Sequence, residues 1–374
     1  MLIEWRGRFR GHSGLAVEAA GFIGALRRAG FAVREVPVGS LPVGTGPPPA
    51  TGAIPVLTIV HLPWHDNGWE DLKGTIIWRA VFETASIPRP WVMRAEQVDE
   101  VWVASTFNAQ TFAAAGVAEE KLHVIPQALS AGWYNLPIST GAGNGPFRFL
   151  SVFRWQQRKG WDVLLKAYLS EFDADDDVEL VMRADPFGPT GYDIPADIAA
   201  VTAEIRPRNP PRITLLAEPL CLQDLQELYA RSNAFVLPTR GEAWGRPYLE
   251  AMACGLITIG TGWGGQLDFM NDTNSLLIDY DLMQVSEAAA LEWPNFEGQI
   301  WAEPSVPSLR RCLRRAMEDG PGIESRRRNA AATIRRQFPP ATINQKFLSE
   351  IRRVLRSPVT APGMSVPAVR DRLS

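Results

Sequence analysis

Strand-like and helix-like stretches alternate along almost the whole chain, and this limits its fold more than any other feature. LIEWR leads through GRFRGHSG into an amphipathic stretch near 14–29, with Ser13 placed to cap its start and Gly30 its end. AVREVPV and IPVLTIVH read as strands, separated by a Gly/Pro-rich loop near 39–53. TIIWRAVF is another strand, followed by a helix near 90–96. EVWVA then runs into STFNAQTFAAAG, with Ser105 as cap and Gly116 as stop, and KLHVIP closes the first half. LPISTGAGNGP (136–146) is rich in turn residues and reads as an interdomain linker. FRFLSVF opens a second half: a helix near 160–171, strand VELVMRA, a long loop, strand RITLLA, a helix at 222–231 and strand NAFVLPT (233–239).

Alternation of this kind builds βαβ units and parallel sheets. The expectation is an α/β chain with two doubly wound, Rossmann-like domains, 1–140 and 147–338, facing across a cleft. Ligands in such sheets bind outside the carboxyl ends of the strands. Residues 308–357 read as helical and carry twelve arginines against four acids. The last helix, 341–357, is expected to pack back on the N-terminal domain, and 358–374 to be a disordered tail.

Composition narrows the partners. Of the 374 residues, 46% are hydrophobic and 21% charged, an ordinary globular balance. A formal charge of −3 gives no basis for a nucleic-acid partner. Cys221, Cys254 and Cys312 are widely spaced, which predicts buried thiols in a reducing compartment. No run approaches 18 apolar residues, so no membrane-spanning helix is expected. MLIEWRG reads directly as a strand with no room for a signal peptide, and cytoplasmic residence is the expectation.

The stretch TRGEAWGRPYLEAMACG (239–255) places Glu242 and Glu250 with seven residues between them. Pro247 suits the first position of a helix and Gly255 the position just past its end, which puts Glu250 in the first turn. A helix start is a ready anion site, and Gly241 and Gly245 let a ligand approach the backbone. Ionised carboxylates only accept hydrogen bonds, so they suit hydroxyls rather than phosphate oxygens. A nucleotide sugar offers both kinds of group. Equally, Glu250 can complement the helix dipole while Glu242 is a solvated loop acid; spacing alone leaves both readings open.

SVFRWQQRKGWDVLLKAY (151–168) repeats the theme. A strand ends near Phe153; Arg154, Arg158, Lys159 and Gly160 follow, then an amphipathic helix. Cations at a strand end and helix start reinforce a phosphate site, though a solvated basic turn has the same pattern.

Taken together the two stretches resemble the C-terminal half of the retaining GT-B glycosyltransferases of family 4. RWQQRKGWDVLLKA, LQDLQELYARSNAFVLPTRGEAWGRPYLEAMACG and ITIGTGWGGQLDFMNDTNSLLI stand in family order over roughly 150–280. WRAVFETASIPRPWVMRAEQVDEVWVASTFNAQTFAAAGVAEEKLHVIPQAL resembles the family's more variable N-terminal half. The resemblance implies that Arg154 and Lys159 contact the donor diphosphate, with Arg158 competing for Lys159's place. Glu250 would accept the ribose hydroxyls and Glu242 would face the donor sugar. The backbone of Ala243, Trp244 and Gly245 would donate to sugar or phosphate oxygens. GRFRGHSG resembles the family's glycine loop, which would bring the Gly14 amide near the donor phosphate, while His12 reads equally as a solvated loop residue. His61, or less well His65, matches a histidine that the family places near the donor sugar.

These matches imply a retaining transfer from a nucleotide-sugar donor, UDP- or GDP-linked, to a hydroxyl of a glycan, lipid-linked or small-molecule acceptor. The nucleotide sugar is a co-substrate; family members work without metal and need no resident cofactor. His61, His65 and Asp66 form the one cluster with a metal-site pattern, but Pro63 disfavours the helix that would align it. Glu83 sits in an acceptor-side loop, where Arg79 offers it a structural partner. The arginine-rich helices suit either a solvated surface or peripheral contact with the inner face of a membrane. Tryptophans such as Trp64 and Trp69 are stacking surfaces or, more commonly, packing residues. A non-catalytic glycan- or nucleotide-binding protein on the same fold is the alternative. A dinucleotide oxidoreductase is set aside because GRFRGHSG lacks G-x-G-x-x-G.

Overall fold

The computed structural model describes residues 1–9, 13–38, 53–63, 66–138, 145–186, 191–318 and 320–356. The first sheet holds six parallel strands in the order β2-β1-β3-β4-β5-β6. These are β1 Leu2–Gly7, β2 Ala32–Pro37, β3 Leu57–His61, β4 Thr75–Arg79, β5 Glu100–Val103 and β6 Leu122–Val124. Helices α1 Gly14–Arg28, α2 Arg89–Glu96 and α3 Thr106–Ala114 flank them, and the short α4 Ala131–Tyr134 follows.

The second sheet is also six-stranded and parallel, in the order β12-β11-β10-β7-β8-β9. Its strands are β7 Phe147–Trp155, β8 Val178–Pro186, β9 Arg212–Leu216, β10 Ala234–Leu237, β11 Ile257–Thr261 and β12 Leu276–Ile278. Its helices are α5 Trp161–Glu171, α6 Ile194–Ile205, α7 Leu222–Ala230 and α8 Arg246–Ala253. An antiparallel hairpin, β13 Tyr280–Gln284 and β14 Ile300–Pro304, encloses α9 Glu287–Glu292. Helices α10 Val306–Ala316, α11 Pro321–Gln337 and α12 Pro340–Arg356 complete the order.

Local chemistry accounts for most of these elements. The Ser13 hydroxyl accepts from the Ala16 amide, and Ser105 from Asn108, as N-caps do. Gly30 and Gly116 take positive φ just past their helices. Strands β3, β10 and β11 are buried along their length, as strands covered on both faces should be.

Four expectations need correction. The long loop between β8 and β9 contains the twelve-residue α6, capped by Asp193. Proline at its second residue and a run of alanines carry a helix signal that its weak amphipathicity hides. Strand β7 runs on through Trp155, so Arg154 lies within it and pairs in register with Asp185. Helix α8 starts at Arg246, which moves Pro247 to its second residue and Glu250 to its second turn. Cys254 and Cys312 are buried, but Cys221 is exposed, where it caps α7. Residues 10–12, Trp64, His65, most of the 136–146 linker and the tail from 358 lie outside the described residues.

Helix α12 lies against the first sheet and α1. Phe347 stacks on Phe22 with ring centroids 4.3 Å apart and meets Trp102 edge-on at 5.8 Å. Arg353 fastens the same helix to Glu100 through two bonds of 2.7 and 2.9 Å. Helix α4 precedes the linker, yet its Trp133 ring packs edge-on against Tyr229 of the second domain at 5.1 Å. Phe347→Ala is expected to cost about 3–5 kcal/mol. Urea unfolding followed by tryptophan fluorescence measures it.

Candidate active site

The loops after β7 and β10 meet beside the start of α8. Gly160 makes the approach possible: its φ is +67°, and a Cβ there would stand 1.9 Å from the Pro238 carbonyl oxygen. Gly241 does the same across the domain boundary, where a Cβ would stand 1.9 Å from the Glu83 carbonyl. Only glycine fits either place.

At this junction Lys159 donates to the Glu242 carboxylate, and Arg158 lies 3.5 Å from the same oxygen. Lys159, Arg158 and Glu242 are each at most 9% exposed. Burial pushes the Glu242 pKa up, but the charges of Lys159 and then Arg158 outweigh it and hold the carboxyl below its ordinary range. Arg158 also donates to the Gly241 carbonyl and reaches the Glu83 carboxylate at 3.4 Å. The partner of Glu83 is therefore Arg158 and not Arg79, which pairs with Glu18 instead.

Gly245, at φ +85°, turns the chain into α8. Among the described residues, none receives a hydrogen bond from the amides of Ala243, Trp244 or Gly245. These amides lie at the helix's positive end, as an anion site requires. The Trp244 side chain itself is core, edge-on to Phe269 at 5.1 Å and Phe338 at 5.4 Å. One turn on, the Glu250 carboxylate accepts from Tyr229 and Arg246, each at 3.1 Å. Burial raises its pKa, opposed by Arg246.

The first domain faces this cluster with the start of α1. A Cβ on Gly14 would stand 3.9 Å from Arg246 Cδ, so the starts of α1 and α8 oppose each other. Arg154 is exposed and within electrostatic reach of Arg158 and of Arg8. His61, at the end of β3, is 2% exposed, with Nε2 3.1 Å from the Glu18 carboxylate of α1. Arg79 and Gln127 donate to Glu18 as well. Burial opposes ionisation of Glu18, but Arg79 and His61 together bring its pKa down to about 2. Asp66, the third member of the histidine cluster, binds Arg8 at 2.7 Å.

Lys159, Glu242, Gly245, Glu250, Gly14 and Arg154 thus line one seam, and His61 supports it from the N-terminal core. Sequence reasoning missed Arg246 and Glu292. Arg246 had a signal, its i,i+4 spacing to Glu250. Glu292 had none, since it lies 135 positions from the Gln157 amide that it accepts from.

Residues 146–291 match the family model described as glycosyl transferases group 1. By sequence the chain matches no curated protein. Solved structures share its GT-B fold. HepE from Anabaena, in complex with UDP and glucose, is 15% identical with a TM-score of 0.65, covering 94% of this chain and 100% of that one. Sucrose-phosphate synthase from Thermosynechococcus elongatus is 15% identical with a TM-score of 0.69, covering 94% and 98%. A glycosyltransferase from Rickettsia africae is 16% identical with a TM-score of 0.65, covering 96% and 99%.

Two further facts bear on the surroundings of the site. No helix of the described residues is long and apolar enough to cross a membrane. Arginines of α10 are partly spent on neighbours: Arg310 and Arg314 bind Glu171, and Arg314 also binds Asp176 in the acidic turn.

Burial raises the Glu292 pKa from 4.5 to about 7, with the Gln157 amide and Arg158 opposing. A carboxyl raised in the folded state contributes stability below pH 4.5 and loses it as pH rises through 7. Glu292→Gln is therefore expected to stabilise the protein at pH 8 by about 2 kcal/mol, allowing for solvent screening. The gain should shrink as pH falls toward 4.5. Urea midpoints of both proteins across pH 5–8 test it.

Proposed function

We propose that the chain moves a hexose from a nucleotide-sugar donor, UDP- or GDP-linked, to a hydroxyl of a glycan, lipid-linked or small-molecule acceptor, retaining the anomeric configuration. The observation that carries this reading is the buried cation pair Arg158–Lys159 set beside the open amides at the start of α8. HepE, which shares the fold, has been solved with UDP-glucose.

Lys159 and the exposed Arg154 neutralise the donor diphosphate, helped by the amides of Ala243–Gly245 and by Gly14 from the opposite domain. Glu250, held by Tyr229 and Arg246, accepts the ribose hydroxyls, and Glu242 faces the sugar. The acceptor oxygen attacks the anomeric carbon on the face from which the nucleoside diphosphate leaves. The breaking C–O electron pair goes to the phosphate oxygen, whose charge the cations stabilise. The acceptor proton passes to the departing phosphate.

Glu242 takes no nucleophile's part in this scheme, because the acceptor oxygen itself attacks and the departing phosphate takes its proton. His61 acts through Glu18 to hold α1 and the Gly14 amide in place. The chain's own cations meet the diphosphate's charge, so no metal is invoked.

UDP-, GDP- and ADP-sugars, tested without acceptor or metal, are expected to include one that raises the melting temperature and is slowly hydrolysed. Arg154→Ala/Lys159→Ala should abolish the shift and lower kcat/KM by roughly 10²–10³-fold. A shift that survives in the double variant would refute the phosphate assignment. Binding without hydrolysis or transfer would favour a non-catalytic binder.

A further inference from the structure

Arg240 lies between the two loops that form the seam, and all five of its N–H donors are occupied. Nε and Nη2 donate to Glu303 at 2.6 and 2.8 Å. Nη1 and Nη2 donate to Asp162 at 2.8 Å each, and Nη1 also to the Gln157 carbonyl at 2.6 Å. An arginine so saturated has no donor left for a substrate phosphate. Its main chain extends the set: its amide donates to the Arg158 carbonyl at 2.7 Å, and its carbonyl accepts from Ala302 at 3.0 Å. One residue thereby ties together the 157–159 turn, the first turn of α5, and β14.

The hairpin carries these contacts to the other domain. Val285 donates to Gln299 and Ser305 to Asp279, so odd-numbered residues bond across the ladder. The even-numbered residues of β14 then point outward, and two of them are used. Ala302 donates to Arg240 of the second domain, while the Ile300 carbonyl accepts from Ala85 of the first at 2.8 Å. Beside this, Phe296 meets Phe82 edge-on at 5.6 Å, and Trp91 Nε1 donates to Asn295 at 3.3 Å. Ala85 lies two residues beyond Glu83, the partner of Arg158.

We propose that the β13–β14 hairpin is a strut between the domains and that Arg240 is its positioning residue, holding the Lys159–Glu242 pair in register with the Glu83 loop without touching substrate. The kinetic arm of its test rests on the proposed function; the exchange arm does not.

Glu303→Gln and Arg240→Lys each keep side-chain bulk while removing part of the fork. In ligand-free protein, deuterium exchange is expected to quicken at both 83–86 and 157–160 in each variant. With the donor that the panel selects, donor KM should rise roughly tenfold while kcat and acceptor KM change less. A merely structural role would lower the melting temperature and leave donor KM unmoved. Exchange unchanged at either segment, or an unmoved donor KM in a loosened variant, overturns the proposal. Should Arg240→Lys fail to fold, Glu303→Gln carries both arms, since Glu303 is 31% exposed and its amide retains one acceptor. If wild-type protein turns over no donor, the functional reading falls alone, and exchange still decides the strut.

Discussion

The Lys159–Glu242 pair sits where water is nearly excluded, and the arrangement around it follows from that. Two charges taken out of water lose several kcal/mol of hydration each, which only close pairing and further hydrogen bonds offset. Here Arg158 supplies the second cation, and Glu83 and the Gly241 carbonyl in turn satisfy Arg158. None of these groups is in the same loop as all the others. The pair therefore exists only where β7, β10 and the first domain's 83–85 segment converge.

This dependence makes the domain boundary part of the site. The start of α3 is covered by the Asp268 carboxylate, which accepts from the Thr106 amide at 2.9 Å. Phe107 and Trp263 close over it edge-on at 4.8 Å. The hairpin adds a second line of contact, and α12 a third. Opposed helix starts at Gly14 and Arg246 place two positive dipole ends on one seam, an arrangement that suits a ligand with more than one negative charge.

Much of this was legible residue by residue. The parallel sheets and the caps at Ser13 and Ser105 follow from periodicity and capping chemistry, while the gathering of Lys159, its competitor Arg158 and Glu242 about one donor is what the family resemblance implied. What was not legible shares one property: distance along the chain. Glu83 reaches Arg158, Glu292 reaches Gln157 and Glu303 reaches Arg240 over 63 to 135 positions, with no local pattern to announce them. Helix α6 was hidden for a different reason. It is apolar without a sharp stripe, so its period is weak beside that of α7.

The sequence by itself determined the class of fold and the kind of site, because hydrophobic period, caps and glycine placement act over a few residues. It also set which cations and carboxylates stand at strand ends. Only the tertiary structure decided their partners. Whether Glu242 is a solvated acid or a buried one, whether Trp244 faces ligand or core, and where His61 points depend on which surfaces exclude water. Desolvation belongs to the packed whole and to no segment of the chain.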